Sequence, residues 1–589
     1  MDNILDILFQ NQHVEKKISS FFEQYDLKTS FTYEEILDHS SNYAKNLQEM
    51  VTVKNEAILI SLDTSAEFLF SFFGVILSGN IPVPIASPTL VLPKDYKVLV
   101  TQIAKSCQSS YIIADSKIPS TNLNVLSPHR LANKNQNELQ KLEICPKDIC
   151  FIQFSSGSTQ IPKGVAVTHQ NLLANLAQIQ KGMKVTSADR ICSWLPLYHD
   201  MGLIGVLLAS LYCNVEAYLM SPLDFILSPS SWMKLLSDQK ISIIVAPNAA
   251  YNACIKKVKI EDVKSLDLSS IRLALSGAEP VNIDVCHKFI DHFSSAGLKS
   301  HVMFPVFGLA EATLAVSFNE VGSPIRSLKI DYDLLTKSQM AKDSQHLENS
   351  IEIVSCGSVL EDSEIQIRNK DKVLLDNQVG EIFIKGPNVV EHYFQHDSHL
   401  HDLWLATGDL GFLRDGLLYI VGRIKDLIII NGRNIAANDL EARVCQLDKF
   451  KPGKTIAFSY LNNKNQEKVK LVAEICETDK DKRDILKQDA CRQLAALVPI
   501  TPQDVYILPP LMIKKTTSGK IKRYYIKQKY IIGKIQRWEK YYYAYFLRSQ
   551  SIIGFLTFKF ALKNVFYKWL NKLAPAKYKK DTKTYEIRN

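Results

Sequence analysis

The sequence predicts an α/β protein whose sheets are largely parallel and covered on both faces, followed by a β-rich subdomain and a small α+β unit. Three observations carry that expectation. Short apolar runs alternate with longer helical-looking segments through the first 350 residues. The texture then shifts to closely spaced strands and turns, and a compact mixed region begins near Lys425. The chain has 589 residues, 46% hydrophobic and 22% charged. Those fractions exclude wholesale disorder, collagen-like repeats and a disulfide-stapled miniprotein.

Residues 57–62 (AILISL), 111–114 (YIIA), 149–154 (ICFIQF), 242–246 (SIIVA) and 271–275 (IRLAL) read as buried strands, several ending at Gly, Pro or Ser. Helical segments such as Asn171–Lys181 and Ser231–Gln239 fall between them. The longest uncharged stretch, Phe68–Pro93, contains Asn80, Pro82, Pro84 and Pro88, so it reads as a buried helix and a short strand instead of a membrane span. Ser323–Ser350 is polar and lacks clear strand periodicity, which suggests an insertion or extended loop. Strands are expected at Ile351–Val354, Glu364–Ile367, Glu381–Ile384 and Leu417–Val421. The small unit should hold a strand at Leu427–Ile430, a helix from Asn438, a strand at Lys470–Ile475 and a helix near Asp484–Leu497.

The formal charge of +9 hides an asymmetry. Residues 511–589 hold 20 Lys and Arg against three acids, whereas residues 1–510 hold 50 basic and 58 acidic side chains. A basic end on a mildly acidic body points to an anionic partner for that end, not to a nucleic-acid-binding protein. Residues 541–570 add 11 aromatics to Arg548, Lys559, Lys563 and Lys568. They fit an interfacial helix on anionic lipid, a helix docked on the body, or a dock for an acidic protein. Eleven cysteines form no C-x-x-C pair and no cluster at zinc spacing, which favours a reducing, cytoplasmic setting. The opening Met-Asp-Asn-Ile-Leu-Asp has acids where an export signal needs positive charge.

The densest chemistry lies in residues 149–171. An apolar strand runs into Ser155-Ser156-Gly157-Ser158-Thr159 and then Pro162-Lys163-Gly164. Small hydroxyls and open backbone N–H groups on a glycine-containing loop cradle phosphate, with Lys163 adding fixed charge; a serine-rich surface turn is the plainer reading. The spacing is not that of a Walker A loop.

This stretch resembles the phosphate loop of the adenylate-forming superfamily, which includes acyl-CoA synthetases, luciferase and peptide-synthetase adenylation domains. Further islands follow in the same order: Ser276-Gly277-Ala278-Glu279-Pro280, Phe307-Gly308-Leu309-Ala310-Glu311-Ala312-Thr313, Thr407-Gly408-Asp409, Gly422-Arg423-Ile424-Lys425-Asp426 and Thr517-Ser518-Gly519-Lys520. The resemblance covers about residues 20–530. It implies a large N-terminal adenylation domain over 1–424 with a family-specific insertion at 323–350, a small mobile domain over 425–530, and a basic aromatic extension over 531–589.

It also implies roles. Ser155, Ser156, Gly157, Ser158, Thr159 and Lys163 would hold the phosphates of ATP, and Gly277, Ala278, Glu279, Gly308, Leu309 and Ala310 would line the nucleotide. Phe307 would stack on adenine, Asp409 would bind the ribose hydroxyls beside Arg423, and Glu311 would hold Mg²⁺. Lys520 would be the mobile catalytic lysine, with Lys425 and Asp426 as the hinge. Plainer alternatives stand beside these: a solvated Glu311, a core Phe307, and an Asp409 that caps a turn paired with Arg423.

Residues 193–205 (SWLPLYHDMGLIG) resemble a signature of the fatty acyl-AMP ligases, which would set His199 near an acyl channel; a packing histidine is the alternative. Ala310, where acyl-CoA synthetases more often carry Thr, fits that branch. Gln160 replaces the usual loop glycine, and Asn434-Ile435-Ala436-Ala437 lacks the Tyr-Pro common after the hinge strand. The expected reaction is ATP-dependent activation of a medium- or long-chain fatty acid, with transfer to an acyl carrier protein supplied in trans. An acyl-CoA synthetase and a non-catalytic nucleotide-binding scaffold are the alternatives, and contact of the extension with a membrane surface is a further expectation.

Overall fold

The computed structural model describes residues 1–554 except 24, 90–92, 116–121, 141, 155–162, 347–348, 397–402, 431, 463–466, 517–520 and 553. The chain forms two units. Met1–Leu427 with Gly432–Ala436 belong to the larger; Ala437–Thr516 and the chain from Ile521 belong to the smaller.

The larger unit contains a nine-stranded sheet, a four-stranded sheet and a five-stranded sheet. The centre of the first is parallel: Met303–Gly308, Leu273–Ser276, Ile243–Ala246, Arg190–Ser193, Glu216–Met220 and Ser19–Glu23 run side by side. Strands at both edges are antiparallel. The four-stranded sheet, Ile81–Pro84, Ala57–Ser61, Tyr111–Ala114 and Asn124–Leu126, is parallel throughout. Every residue of Ala57–Ser61 and of Ile243–Ala246 is buried. Continuous apolar strands of this kind need cover on both faces, which helices supply.

One such cover is the helix Ala66–Leu77, capped by Ser65 and buried at ten of its 12 positions. It crosses the helix Tyr33–Met50 closely. A β-carbon on Gly74 would stand 2.6 Å from Tyr43 Cβ, so glycine is what permits the approach. The partner helix begins with a capping box between Thr32 and Glu35. The uncharged stretch after Phe68 is thus the buried helix and short strand expected. Among the described residues no helix is long and apolar enough to cross a membrane.

The β-rich region after residue 350 is an antiparallel sheet in the order Lys372–Val373, Glu364–Asn369, Gly380–Lys385, Leu405–Arg414 and Leu417–Arg423. The segment 323–350 departs from the extended loop its polarity suggested. Ser327–Asp331 pairs antiparallel with Ser350–Val354, and Asp331 caps the helix Tyr332–Ser338. Ile330, Leu335 and Ala341 are buried against Phe412 and Tyr419 of the five-stranded sheet, and Arg414 bonds Asp343, Asn377 and the Ala341 carbonyl. With Tyr332, four buried apolar side chains in 28 residues are too few to give a readable period.

The smaller unit has a three-stranded sheet of Thr455–Leu461, Glu467–Glu474 and Val505–Leu508, flanked by the helices Ala437–Val444, Lys480–Leu494, Arg523–Ile531 and Lys534–Lys540. Lys470 is buried in its middle. Its ammonium lies 2.6 Å from Asp504 and 5.3–5.7 Å from the rings of Tyr460, Tyr506 and Tyr530, so charge and aromatic faces together offset its desolvation. The chain after 531 is not a free extension at first. Ile535 is fully buried in the small core, Glu539 bonds Lys487 and the Ile507 N–H, and residues 542–552 are helical. Tyr542 donates to the Ile475 carbonyl beneath the Arg483 guanidinium. All eleven cysteines are free; only Cys145 and Cys476 are exposed.

His169 opens the helix His169–Gly182 and accepts a hydrogen bond from the Ile4 N–H. Burial holds its imidazole down at about 4, partly offset by Asp148 and Asp6. An unfolded histidine titrates near 6.5, so between about pH 6.5 and 4 the unfolded chain binds a proton that the folded chain refuses. Stability therefore falls as the pH drops through that window, by up to about 3 kcal/mol. His169→Gln is expected to flatten this acid limb in a series of thermal melts; an equally steep limb in the variant contradicts the assignment.

Candidate active site

The candidate side chains come from two settings. Gly277 and Phe307 lie near the carboxyl ends of parallel strands, where loops present backbone donors, whereas Lys163 borders the antiparallel pair Ile149–Phe154 and Gly164–Thr168, and Asp409 and Arg423 lie on another antiparallel pair. Ile149–Phe154 leads into the serine-rich loop, so Ser155, Ser156, Gly157, Ser158 and Thr159 lie outside the described residues, as does Lys520. Lys163 follows the loop and is exposed at the start of the strand Gly164–Thr168.

Leu273–Ser276 ends at Gly277 and Ala278. A β-carbon on Gly277 would meet Val306 Cγ2 at 2.6 Å, and Ala278 has a left-handed φ of 66°, so the chain turns sharply between adjacent strands. Glu279 is exposed and accepts a hydrogen bond from the Ala249 N–H at the start of the helix Asn248–Lys257. Met303–Gly308 carries Phe307, which is partly buried, as is Leu309, against the cluster of Ala312, Val316 and Ile382. A β-carbon on Gly308 would collide with the Leu314 carbonyl at 2.0 Å, which makes that glycine obligatory for the next turn. The Ala310 methyl is buried, so no hydroxyl stands in front of the glutamate.

Glu311 sits in the 3₁₀ turn Ala310–Ala312. Two buried amides pin that turn. Asn388 donates to the Ala312 and Ala315 carbonyls at 3.1 and 3.0 Å, and Asn175 both donates to the Ala315 carbonyl and accepts from its N–H at 2.9 Å. Thr313, at φ 62°, closes the turn by donating to the Asn388 carbonyl at 2.7 Å. The Glu311 carboxylate accepts a hydrogen bond from the Tyr393 hydroxyl at 3.0 Å, and the Lys163 ammonium lies 4.6 Å from the centre of the Tyr393 ring.

Asp409 and Arg423 face each other across adjacent antiparallel strands, with Arg423 Nε donating to Asp409 Oδ1 at 2.7 Å. Asp409 is nearly buried, whereas half of the Arg423 side chain is exposed. Gly408, at φ 73°, donates to Glu381, and Thr407 anchors to the Ile382 carbonyl, so the Thr-Gly-Asp stretch is a fixed kink. The guanidinium of Arg423 is held still further above its high ordinary value by Asp409 first, then by Asp426 and Glu311. Glu311, Asp409 and Arg423 therefore share one local field. Lys425 and Asp426 form the 3₁₀ turn Ile424–Asp426, immediately before the larger unit gives way after Leu427.

His199 pairs with Asp200 and caps the short helix Asp200–Gly202, and both side chains are largely buried. The chain continues as a fully buried π-helical turn, Leu203–Leu208, a distortion frequent beside functional sites. Three buried polar atoms close to these motifs in sequence, Gln153 Oε1, Trp194 Nε1 and Ser276 Oγ, have no hydrogen-bond partner among the described residues. Each is the kind of group a polar ligand satisfies.

Among the described residues no group of three or more His, Cys, Asp or Glu could hold a metal ion. A single hard carboxylate, Glu311, beside a phosphate-type loop fits Mg²⁺ shared with substrate phosphates, not an all-protein cage. Tyr393 and Asn388 were missed in the sequence. Both lie between two strands, in a stretch with no periodicity to mark them.

Replacing Asn388 by Ala removes the side-chain donor from both the Ala312 and Ala315 carbonyls, leaving the Leu314 N–H on the first and Asn175 on the second. The expected loss is about 1–3 kcal/mol for the larger unit, read from its urea midpoint. An unchanged midpoint would show that the amide does not hold the turn.

Residues 10–394 match the family model of the AMP-binding enzymes. A Caulobacter vibrioides protein with the provisional name acyl-CoA synthetase is 31% identical over 86% of this chain and 91% of its own length. The medium-chain-fatty-acid–[acyl-carrier-protein] ligase JamA of Moorena producens is 29% identical over 91% and 96%. A solved structure from work on the fatty acyl-adenylate ligases of E. coli and L. pneumophila superposes with a TM-score of 0.84 at 31% identity, covering 92% of this chain and 99% of that one.

Proposed function

The chain belongs to the AMP-binding enzyme family, and from that premise we propose that it is a fatty acyl-AMP ligase which activates a medium- or long-chain fatty acid with ATP and passes the acyl group to an acyl carrier protein. The observation that carries this reading is the assembly of Lys163, Glu311, Asp409 and Arg423, from distant parts of the sequence, within the larger unit. The whole-chain likeness to fatty acyl-adenylate ligases supports it.

A carboxylate is a poor acyl donor. Attack of its oxygen on the α-phosphorus of ATP breaks the bond to the bridging oxygen, releases pyrophosphate and leaves an acyl-adenylate with AMP as a good leaving group. The charge-rich transition state needs fixed cations and donors. In this reading the Ser155–Thr159 loop and Lys163 hold the phosphates, and Gly277, Ala278 and Gly308 allow the nucleotide to approach the backbone. Phe307 stacks on adenine. Arg423 orients the Asp409 carboxylate, leaving it to accept from the ribose hydroxyls. Glu311 is the protein's ligand for Mg²⁺, which supplies charge neutralisation when bound. Lys520 reaches the α-phosphate and carboxylate oxygens, and His199 borders the acyl channel.

The smaller unit then turns about Lys425 and Asp426 to withdraw Lys520 and admit a phosphopantetheine thiol. Its sulfur attacks the acyl carbonyl, the thioester forms, and AMP leaves as the thiol proton is lost. The folded insertion 323–350 disfavours free coenzyme A. The free cysteines support a cytoplasmic, reducing setting.

Pyrophosphate exchange into ATP with laurate-like acids tests the first step. Lys520→Ala is expected to lower adenylate formation at least about 100-fold, as loss of a positioned charge does in comparable sites. Supplied with both acceptors, the enzyme should load a holo-carrier protein; abundant acyl-coenzyme A would instead establish an acyl-CoA synthetase.

The basic end adds peripheral contact with anionic membranes. Ile531, Ile532, Tyr541, Tyr543, Leu547 and Ile552 are exposed on helices and the turns between them, along with Lys534, Lys540 and Arg548. Replacing Lys534, Lys540 and Arg548 by Glu alters this face and leaves the buried Tyr542 and Ser549 in place. That triple substitution is expected to weaken pelleting with phosphatidylserine vesicles while leaving exchange intact; unchanged pelleting, or pelleting with neutral vesicles alike, would reject the contact.

A further inference from the structure

The space between the phosphate-loop lysine and the metal carboxylate is filled by Tyr393. Its main chain is fixed on both sides. Phe394 N–H donates to the Gly164 carbonyl at 2.7 Å, Tyr393 forms an antiparallel bridge with Val165, and Val390 N–H donates to the Glu311 carbonyl at 2.8 Å. The segment 390–394 is therefore stitched to the lysine strand at one end and to the glutamate turn at the other. The Tyr393 side chain repeats the pattern, with its hydroxyl on Glu311 and its ring under Lys163.

An ammonium and a carboxylate separated by a single side chain would, without it, be free to meet in a direct ion pair, which would spend both charges on each other. We propose that Tyr393 is a positioning residue that keeps Lys163 and Glu311 apart, its hydroxyl aiming the carboxylate at the metal position and its ring holding the ammonium toward the phosphates. This rests on the adenylate-forming reading of the site. The two contacts are suited to the task. The phenol O–H donates to the Glu311 carboxylate at 3.0 Å. A ring face satisfies a cation without taking its hydrogens, leaving all three ammonium N–H groups for phosphate. The hydroxyl and the ring thus serve different ligands, and two substitutions separate them.

Tyr393→Phe keeps the ring and loses the hydroxyl, whereas Tyr393→Leu loses both. The test uses the full chain and binding measurements that need no turnover: Mn²⁺ affinity in the presence of ATP by electron paramagnetic resonance, and metal-free ATP affinity by calorimetry in chelator. Tyr393→Phe should weaken Mn²⁺ about 10-fold, as loss of a group that orients a metal ligand does, and leave metal-free ATP binding unchanged. Tyr393→Leu should weaken Mn²⁺ similarly and also weaken metal-free ATP about three-fold, the scale of an exposed cation–π contact. Parental affinities in both variants, or equal losses of both ligands together with a lower thermal midpoint, would overturn the proposal. A parent that binds ATP and Mn²⁺ but exchanges no pyrophosphate would count against the reaction, while the split between the variants would still decide the role of Tyr393.

Discussion

The site turns on one problem of charge: a carboxylate must stand near a cluster of cations without being consumed by them. Glu311 is close enough to Arg423 to strengthen its hold on a proton and is one phenol away from Lys163. Besides the Tyr393 side chain, a fixed backbone holds these groups in place. The turn carrying Glu311 is tied by Asn388 and Asn175, closed by Thr313 in a left-handed conformation, and entered through a glycine that admits no side chain. Arg423 is engaged by Asp409 across a strand pair. Each charge is thus committed to a neighbour, and in the proposed reaction a polyphosphate would meet groups already held in place.

The sheets and helices were largely legible because burial on both faces imposes a pattern. Strands such as Ala57–Ser61 and Ile243–Ala246 have no polar position, and helices such as Ala66–Leu77 announce themselves by apolar length. The insertion was not legible. Its strand and helix rest on a few buried apolar side chains, Ile330, Tyr332, Leu335 and Ala341, with further contacts made by hydrogen bonds from Arg414, and neither leaves a period in the sequence. The far end of the chain reads as an extension from 531 because the resemblance ends near residue 530; Ile535 and Tyr542 nevertheless pack into the small unit.

The site divides along the same line. Residues that sit in motif islands, among them Glu311, Asp409 and Arg423, could be named from their neighbours in the chain. Those that orient them could not. Tyr393 and Asn388 act through contacts formed across long sequence separations, 82 residues from Tyr393 to Glu311 and 76 from Asn388 to Ala312. Only the folded arrangement of strands creates such contacts.

The distribution of thiols has a practical consequence. Seven of the eleven cysteines are buried, two are half-covered, and the two that face water, Cys145 and Cys476, fall one in each unit. The buried thiols tested by their surroundings, such as Cys150 and Cys356, are pushed upward by burial and resist alkylation. The wild-type chain therefore carries its own pair of attachment points for maleimide dyes. Energy transfer between them would test the proposed turning of the smaller unit, with no cysteine engineered in.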